Sequence, residues 1–181
     1  DSVASRGLGD VYKRQIYYYG EQLPEIVGPD RAARFMPLGS AFAAGHRASI
    51  HTDNPATPVD PFRVISTAIT RKTKNRGYIL GPAERVTIDD ALRAVTINAA
   101  WQLFEDDQRG SITVGKAADF VLLSQNPIRI QPENLKNISV LCTWVDGNKV
   151  NTSSWTWVNF KLLLLIIIDY LHTTITSWLS S

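Results

Sequence analysis

The chain has 181 residues, an apolar fraction of 44% and a formal net charge of +2. That is room for one domain, or one and a fraction, with enough apolar material for a core. The Lys and Arg residues are scattered rather than gathered into a stripe with interleaved aromatics, so nucleic acid is not an expected partner. The single cysteine, Cys142, excludes an internal disulfide framework and a cysteine-based zinc site.

Residues 1–15 show no clear periodicity, and Arg6 to Gln15 reads as leader material foreign to the fold, so the interpretable part is expected to start at Ile16. Pro29 to Phe35 reads as a short helix start. Leu38 to Ala44 reads as a further turn or two of helix, closed by Gly45, where a left-handed residue ends a helix. Arg47 to His51 is expected to be a strand. The prolines at 55, 58 and 61 make the next stretch a loop, and Pro61 suits the first turn of the following helix. Phe62, Ile65 and Ile69 then fall on one helical face, and that helix should run to about Arg71.

Residues 72–81 read as a basic, solvated loop. Thr87 and Asp90 fit a capping box, and Ala91, Leu92, Val95 and Ala99 continue the helical face toward Trp101 and Phe104, with a break allowed. Arg109-Gly110 should end it. Ser111 to Lys116 reads as a short extended segment with a turn. Phe120 to Leu123 and Val140 to Val145 read as buried strands, with Cys142 a buried strand thiol. Asp146-Gly147 is a hairpin signal, followed by a return strand at Lys149-Val150. From Asn151 the composition shifts abruptly. The apolar run 162–168 is far short of the ~20 residues that span a bilayer, so residues 151–181 are expected to be an atypical tail not native to the fold.

Chemistry concentrates at Ser49-Ile50-His51-Thr52-Asp53-Asn54-Pro55. An apolar run leads into a His-x-Asp pair and then a turn, which places two metal-capable side chains at a strand's C-terminal end, where parallel α/β folds gather their active sites. Alternate residues of an extended segment point the same way, so His51 and Asp53 could face one pocket. A carboxylate there can bind a divalent metal and accept a proton from water. Asp53-Asn54-Pro55 is equally good turn chemistry. Two side chains also fall short of a catalytic zinc site, which takes about three protein ligands and a water. His46 lies at the opposite end of the strand and is expected to be structural.

Ile50-His51-Thr52-Asp53-Asn54-Pro55, Asp60-Pro61-Phe62 and Ala68-Ile69-Thr70-Arg71 together resemble the last barrel strand and following helix of the amidohydrolase superfamily, nearest the family 3 group that includes the YtcJ-like proteins. Asp90 to Ala100 resembles a later helix of that family. Gly110-Ser111-Ile112 through Gly115-Lys116 to Asp119-Phe120-Val121 resembles its return into a small β-sandwich, and Tyr17-Tyr18-Tyr19-Gly20-Glu21 fits the segment after the preceding strand.

The resemblance implies an α/β fold: the C-terminal fragment of a metal-dependent (β/α)₈ barrel hydrolase with part of its β-sandwich. Residues 16–109 would be the end of the barrel and 110–150 part of the sandwich. It implies a divalent metal, zinc by preference, and hydrolysis of non-peptide carbon–nitrogen bonds in a small amide-like substrate, in a cytoplasmic protein. Asp53 maps onto the family's metal-binding carboxylate and general base. His51 and Asn54 become substrate-side candidates, while Gly110, Gly115 and Lys116 belong to a structural turn. The remaining metal ligands would lie outside this chain, so the fragment alone should be inactive. The alternatives are a non-catalytic pseudoenzyme and a membrane-anchored protein that uses residues 162–168.

Overall fold

The computed structural model describes residues 10–11, 13–52 and 58–150. The helical part starts with strand β1 (Asp10–Val11) and four short helices, α1 (Lys13–Tyr19), α2 (Leu23–Val27), α3 (Pro29–Ala33) and α4 (Leu38–Ala43). Strand β2 (Ser49–Ile50) pairs parallel with β1, Asp10 opposite Ser49 and Val11 opposite Ile50. This differs from the exclusion of residues 1–15: two of them form β1, and α1 opens at Lys13. Residues 151–181, and with them the expected atypical tail and the membrane-anchored alternative, lie outside the described residues. Among the described residues no helix is long and apolar enough to cross a membrane.

Helix α5 (Pro61–Thr70) follows the expected spacing. Phe62 and Ile65 are buried, and Ile69 packs against the same cluster. Asp60 caps the helix by accepting from the Arg63 amide at 3.0 Å, with Pro61 inside the first turn. The C-cap residue is Arg71, which adopts the left-handed conformation at φ 55°. Helix α6 (Ile88–Val95) opens at the expected cap, where Thr87 Oγ1 accepts from the Asp90 amide at 3.1 Å. The reciprocal half differs from a standard capping box: the Asp90 carboxylate accepts from the Thr87 hydroxyl, at 2.7 Å, instead of from its amide. The break in the helical run falls at Thr96, which leaves the helical region at φ −122° and ψ −99° and whose Oγ1 donates to the Leu92 carbonyl at 2.8 Å, and α7 (Ile97–Gln102) starts there.

A three-stranded antiparallel sheet follows, β3 (Phe120–Leu123), β4 (Val140–Val145) and β5 (Asn148–Val150) in that order. Asp146 and Gly147 both take positive φ, at 49° and 74°, as a two-residue hairpin turn requires. Two expectations change here. Residues 111–116 hold the expected turn, at Val114-Gly115, but form no strand, and Val114 is fully exposed. The strands are also not buried throughout. Val121 and Cys142 are buried, while Leu122 is 46% and Leu141 58% exposed. Among the described residues, one core cluster joins helices and sheet, and it takes Val121, Leu135 and Ile138 alongside Leu38, Ile50, Phe62 and Leu92. The sheet is covered there and left open elsewhere.

Two polar contacts tie distant segments. Glu84, buried in a 3₁₀ turn (Pro82–Glu84), accepts from the Ser40 amide at 2.8 Å and from its hydroxyl at 2.5 Å, so it satisfies the start of α4. Arg71, wholly buried, donates to the carbonyls of Phe35 (2.8 Å), Met36 (3.2 Å) and Leu80. The segment expected to be a solvated loop is thus pinned at its end. Lys72 and Ile79 bridge across it, although Lys74 to Tyr78 do face solvent.

Candidate active-site strand

The candidate strand, β2, is fixed from three directions. Ala48, Ser49 and Ile50 are all buried, and Ile50 belongs to the main core cluster. β1 pairs along one edge. At the strand's entry, the α7 side chains reach in: Asn98 Nδ2 donates to the Ala48 carbonyl at 3.0 Å, and Ser49 Oγ donates to Gln102 Oε1 at 2.6 Å. Arg47, just before, stacks over the Trp101 ring at 5.4 Å and approaches Asp106 at 3.8 Å.

His51 emerges at the C-terminal end of β2, half-buried, with its Nε2 shielded from solvent. Asp53 and Asn54, the other two site candidates, lie outside the described residues. His46 is exposed at the entry end of the strand, and its amide donates to the Ala41 carbonyl. Among the described residues no three His, Cys, Asp or Glu side chains are grouped so as to hold a metal ion. His51 offers an imidazole donor of the right kind, and the described residues around it do not complete a coordination shell.

Past the loop, Asp60, Arg63 and Tyr17 form a second polar cluster. Arg63 Nε donates to Asp60 at 2.8 Å and Nη1 to the Tyr17 hydroxyl at 3.1 Å, with the guanidinium 5.2 Å from the Tyr17 ring. Partial burial works against the Arg63 charge, but the Asp60 hydrogen bond and charge outweigh it and hold its pKa above the ordinary value. The Tyr-rich segment and the Asp60-Pro61-Phe62 block, far apart in sequence, therefore meet here.

The Gly-Lys-Ala-Asp segment is structural, as expected. A Cβ on Gly110, at φ 88°, would lie 2.7 Å from the Ala100 Cβ. Lys116 donates to the Asp106 carbonyl. Asp119, 3% exposed, accepts from the Asp146 amide at 2.8 Å and faces Arg109 at 3.6 Å, which anchors the β4–β5 hairpin. Sequence reasoning missed Asn98 and Gln102. Their available signal was a pair of amide side chains four apart on a helix otherwise made of Ile, Ala and Trp. Two cavities, about 200 and 250 Å³, flank α5, one polar and one apolar, and His51 lines neither.

Several known proteins are similar to the chain in sequence. An N-substituted formamide deformylase from Arthrobacter pascens is 37% identical over 151 residues, 81% of this chain and 26% of its own length. A 5-methylthioadenosine/S-adenosylhomocysteine deaminase from Caldanaerobacter subterraneus is 32% identical over 67% of this chain and 27% of its own length. YtcJ of Bacillus subtilis is 26% identical over 77% and 27%. The chain thus spans about a quarter of the length of these curated relatives. The model of the amidohydrolase family matches residues 14–151. On that match, the chain belongs to the amidohydrolase family.

Proposed function

We propose that this chain is the C-terminal portion of a metal-dependent amidohydrolase, a (β/α)₈ barrel enzyme that hydrolyses non-peptide carbon–nitrogen bonds. The observation that carries the reading is β2: a buried strand, paired parallel with β1, that delivers His51 at its C-terminal end in a chain of this family. The names of the deformylase and the deaminase support a small molecule bearing a formamide or amine as substrate.

Asp53 lies two residues beyond His51 in sequence and takes the role of carboxylate ligand and general base. A divalent metal, zinc by preference, would make a water nucleophilic at neutral pH. An Asp53 carboxylate oxygen would accept a proton from the attacking water and return it to the departing nitrogen. His51 contacts the substrate or steadies the carboxylate, and Asn54 lines the pocket. The remaining ligands come from the part of the enzyme that this chain does not span.

Metal analysis tests the shared-site reading. The purified 181-residue chain should carry no stoichiometric zinc, whereas the longer enzyme should hold it and lose most of it on Asp53→Ala. One tightly bound zinc per 181-residue chain would refute a site shared with upstream residues. In the longer enzyme, Asp53→Asn should lower kcat by roughly 100-fold or more, the scale of a lost general base.

A further inference from the structure

We propose that Asn98 is a positioning residue: its amide clamps the entry of β2 and thereby sets where the far end of that strand presents His51. The inference rests on the active-site reading of β2 given above. Asn98 is 8% exposed, and its Nδ2 donates to the Ala48 carbonyl at 3.0 Å across 50 positions of sequence. Gln102, one helical turn on, takes the Ser49 hydroxyl at 2.6 Å, so Ala48, just before β2, and Ser49, its first residue, are held by the same face of α7.

The geometry gives the clamp leverage. A two-residue strand offers little ladder to fix its own position along its axis, and β1 contributes only two paired residues. Sliding of β2 is resisted mainly by the buried Ile50 side chain and by these amides. From Ala48 to His51 the chain extends by roughly 10 Å at about 3.3 Å per residue. Any shift at the clamp is therefore carried directly to the imidazole. The helical break at Thr96 makes the contact available, because α7 starts there and Asn98 is its second residue. Displacements near 1 Å in an active site can cost on the order of 100-fold in rate.

The test uses Asn98→Asp, which keeps the side-chain shape and replaces the donor by an acceptor facing the Ala48 carbonyl. Leu80→Ala, a truncation in the separate core cluster of Ile16, Ala32 and Leu80, serves as a control for general destabilisation. Both are made in the longer enzyme and studied where circular dichroism shows each fully folded. Two readouts are followed: the His51 imidazole carbon–proton cross-peak in NMR at fixed pH, and kcat and KM on an N-substituted formamide. The expected result is that Asn98→Asp moves the His51 cross-peak and lowers kcat by roughly 10- to 100-fold with KM within about threefold. Leu80→Ala should leave both near wild type, and Asn98→Gln should fail to restore them, because its longer chain overshoots the carbonyl. If Asn98→Asp leaves the cross-peak in place, or if Leu80→Ala moves it equally, the clamp is refuted. If the wild-type enzyme hydrolyses no carbon–nitrogen bond at all, the functional reading fails while the cross-peak still decides the clamp.

Discussion

Replacing Arg71 by Met should cost the fold about 3 kcal/mol or more, estimated from three hydrogen bonds of a charged donor at about 1.5–3 kcal/mol each less the relief of its desolvation. The side chain is wholly buried and spans three backbone carbonyls, those of Phe35, Met36 and Leu80. Burial lowers its pKa from the ordinary guanidinium value to about 10, opposed by the nearby Glu84 carboxylate, so it stays charged at neutral pH. Holding that charge costs roughly 3 kcal/mol at about 1.4 kcal/mol per pH unit. The three bonds are worth a gross ~5–9 kcal/mol, and the difference leaves a net contribution of a few kcal/mol. Met is unbranched but two atoms shorter and, like Arg, has a Cβ, so the left-handed backbone at φ 55° cancels in the comparison. It also leaves Glu84 without its buried counter-charge, which works in the same direction. Urea denaturation followed by tryptophan fluorescence measures the loss. Arg71→Lys should be intermediate, because an ammonium keeps the charge but cannot fork to three acceptors. A Met variant within about 0.5 kcal/mol of wild type, the range of an ordinary surface change, would refute the reasoning. The pH dependence supplies a sign check. The folded pKa lies below the unfolded one, so above about pH 10 the unfolded chain binds more protons and this residue's contribution rises with pH. Between pH 6 and 9 its contribution is flat, and the wild-type and Met curves should run parallel.

Three further outcomes follow from the same structure. Gly81→Ala should lower the thermal midpoint far more than a surface substitution does, because the added Cβ would fall 1.8 Å from the Ala33 carbonyl oxygen in a backbone at φ 58°; a melt indistinguishable from wild type would contradict that close approach. Glu21 accepts from the Arg76 amide (2.7 Å), the Thr73 hydroxyl (2.7 Å) and the Asn75 amide (3.1 Å), and these bonds, the Arg76 amide first, hold its pKa below 4.5. A depressed carboxylate stabilises above its unfolded pKa and loses that contribution as pH falls through the folded value. The Asn75 and Arg76 amide resonances should therefore shift with a midpoint below 4.5 and stay still in Glu21→Gln. The Asp53 metal measurement described above is the third.

What the residues disclosed in advance were features written locally. The spacing of Phe62, Ile65 and Ile69, the Thr87 cap and the Asp146-Gly147 turn each depend on a few neighbouring positions, and each is present. What they concealed depends on residues far away. Nothing around Arg71 announces three carbonyl partners, two of them 35 and 36 positions upstream. Asn98 reads as one polar position in a small-residue helix until Ala48 is brought beside it. The open faces of β3 and β4 escaped for a related reason: an apolar run in sequence does not say which of its alternate side chains meets a partner. In the candidate site, the position of His51 just past its strand was legible in the sequence, while the roles of His51, Asp53 and Asn54 are proposals.

The carboxylate of Glu84 at the start of α4 also bears on the order in which the chain acquires structure. A six-residue helix cannot hold itself in water, since isolated helices below roughly 12–15 residues are marginal. Its own N-cap position is Pro37, which makes no side-chain cap bond, and the partner for the Ser40 amide comes from 44 positions downstream. During synthesis, then, residues 38–43 should stay unfolded until the segment through Glu84 has left the ribosome and docked. Closure of that loop, rather than local helix propensity, would set the moment at which this part of the chain commits to its final shape.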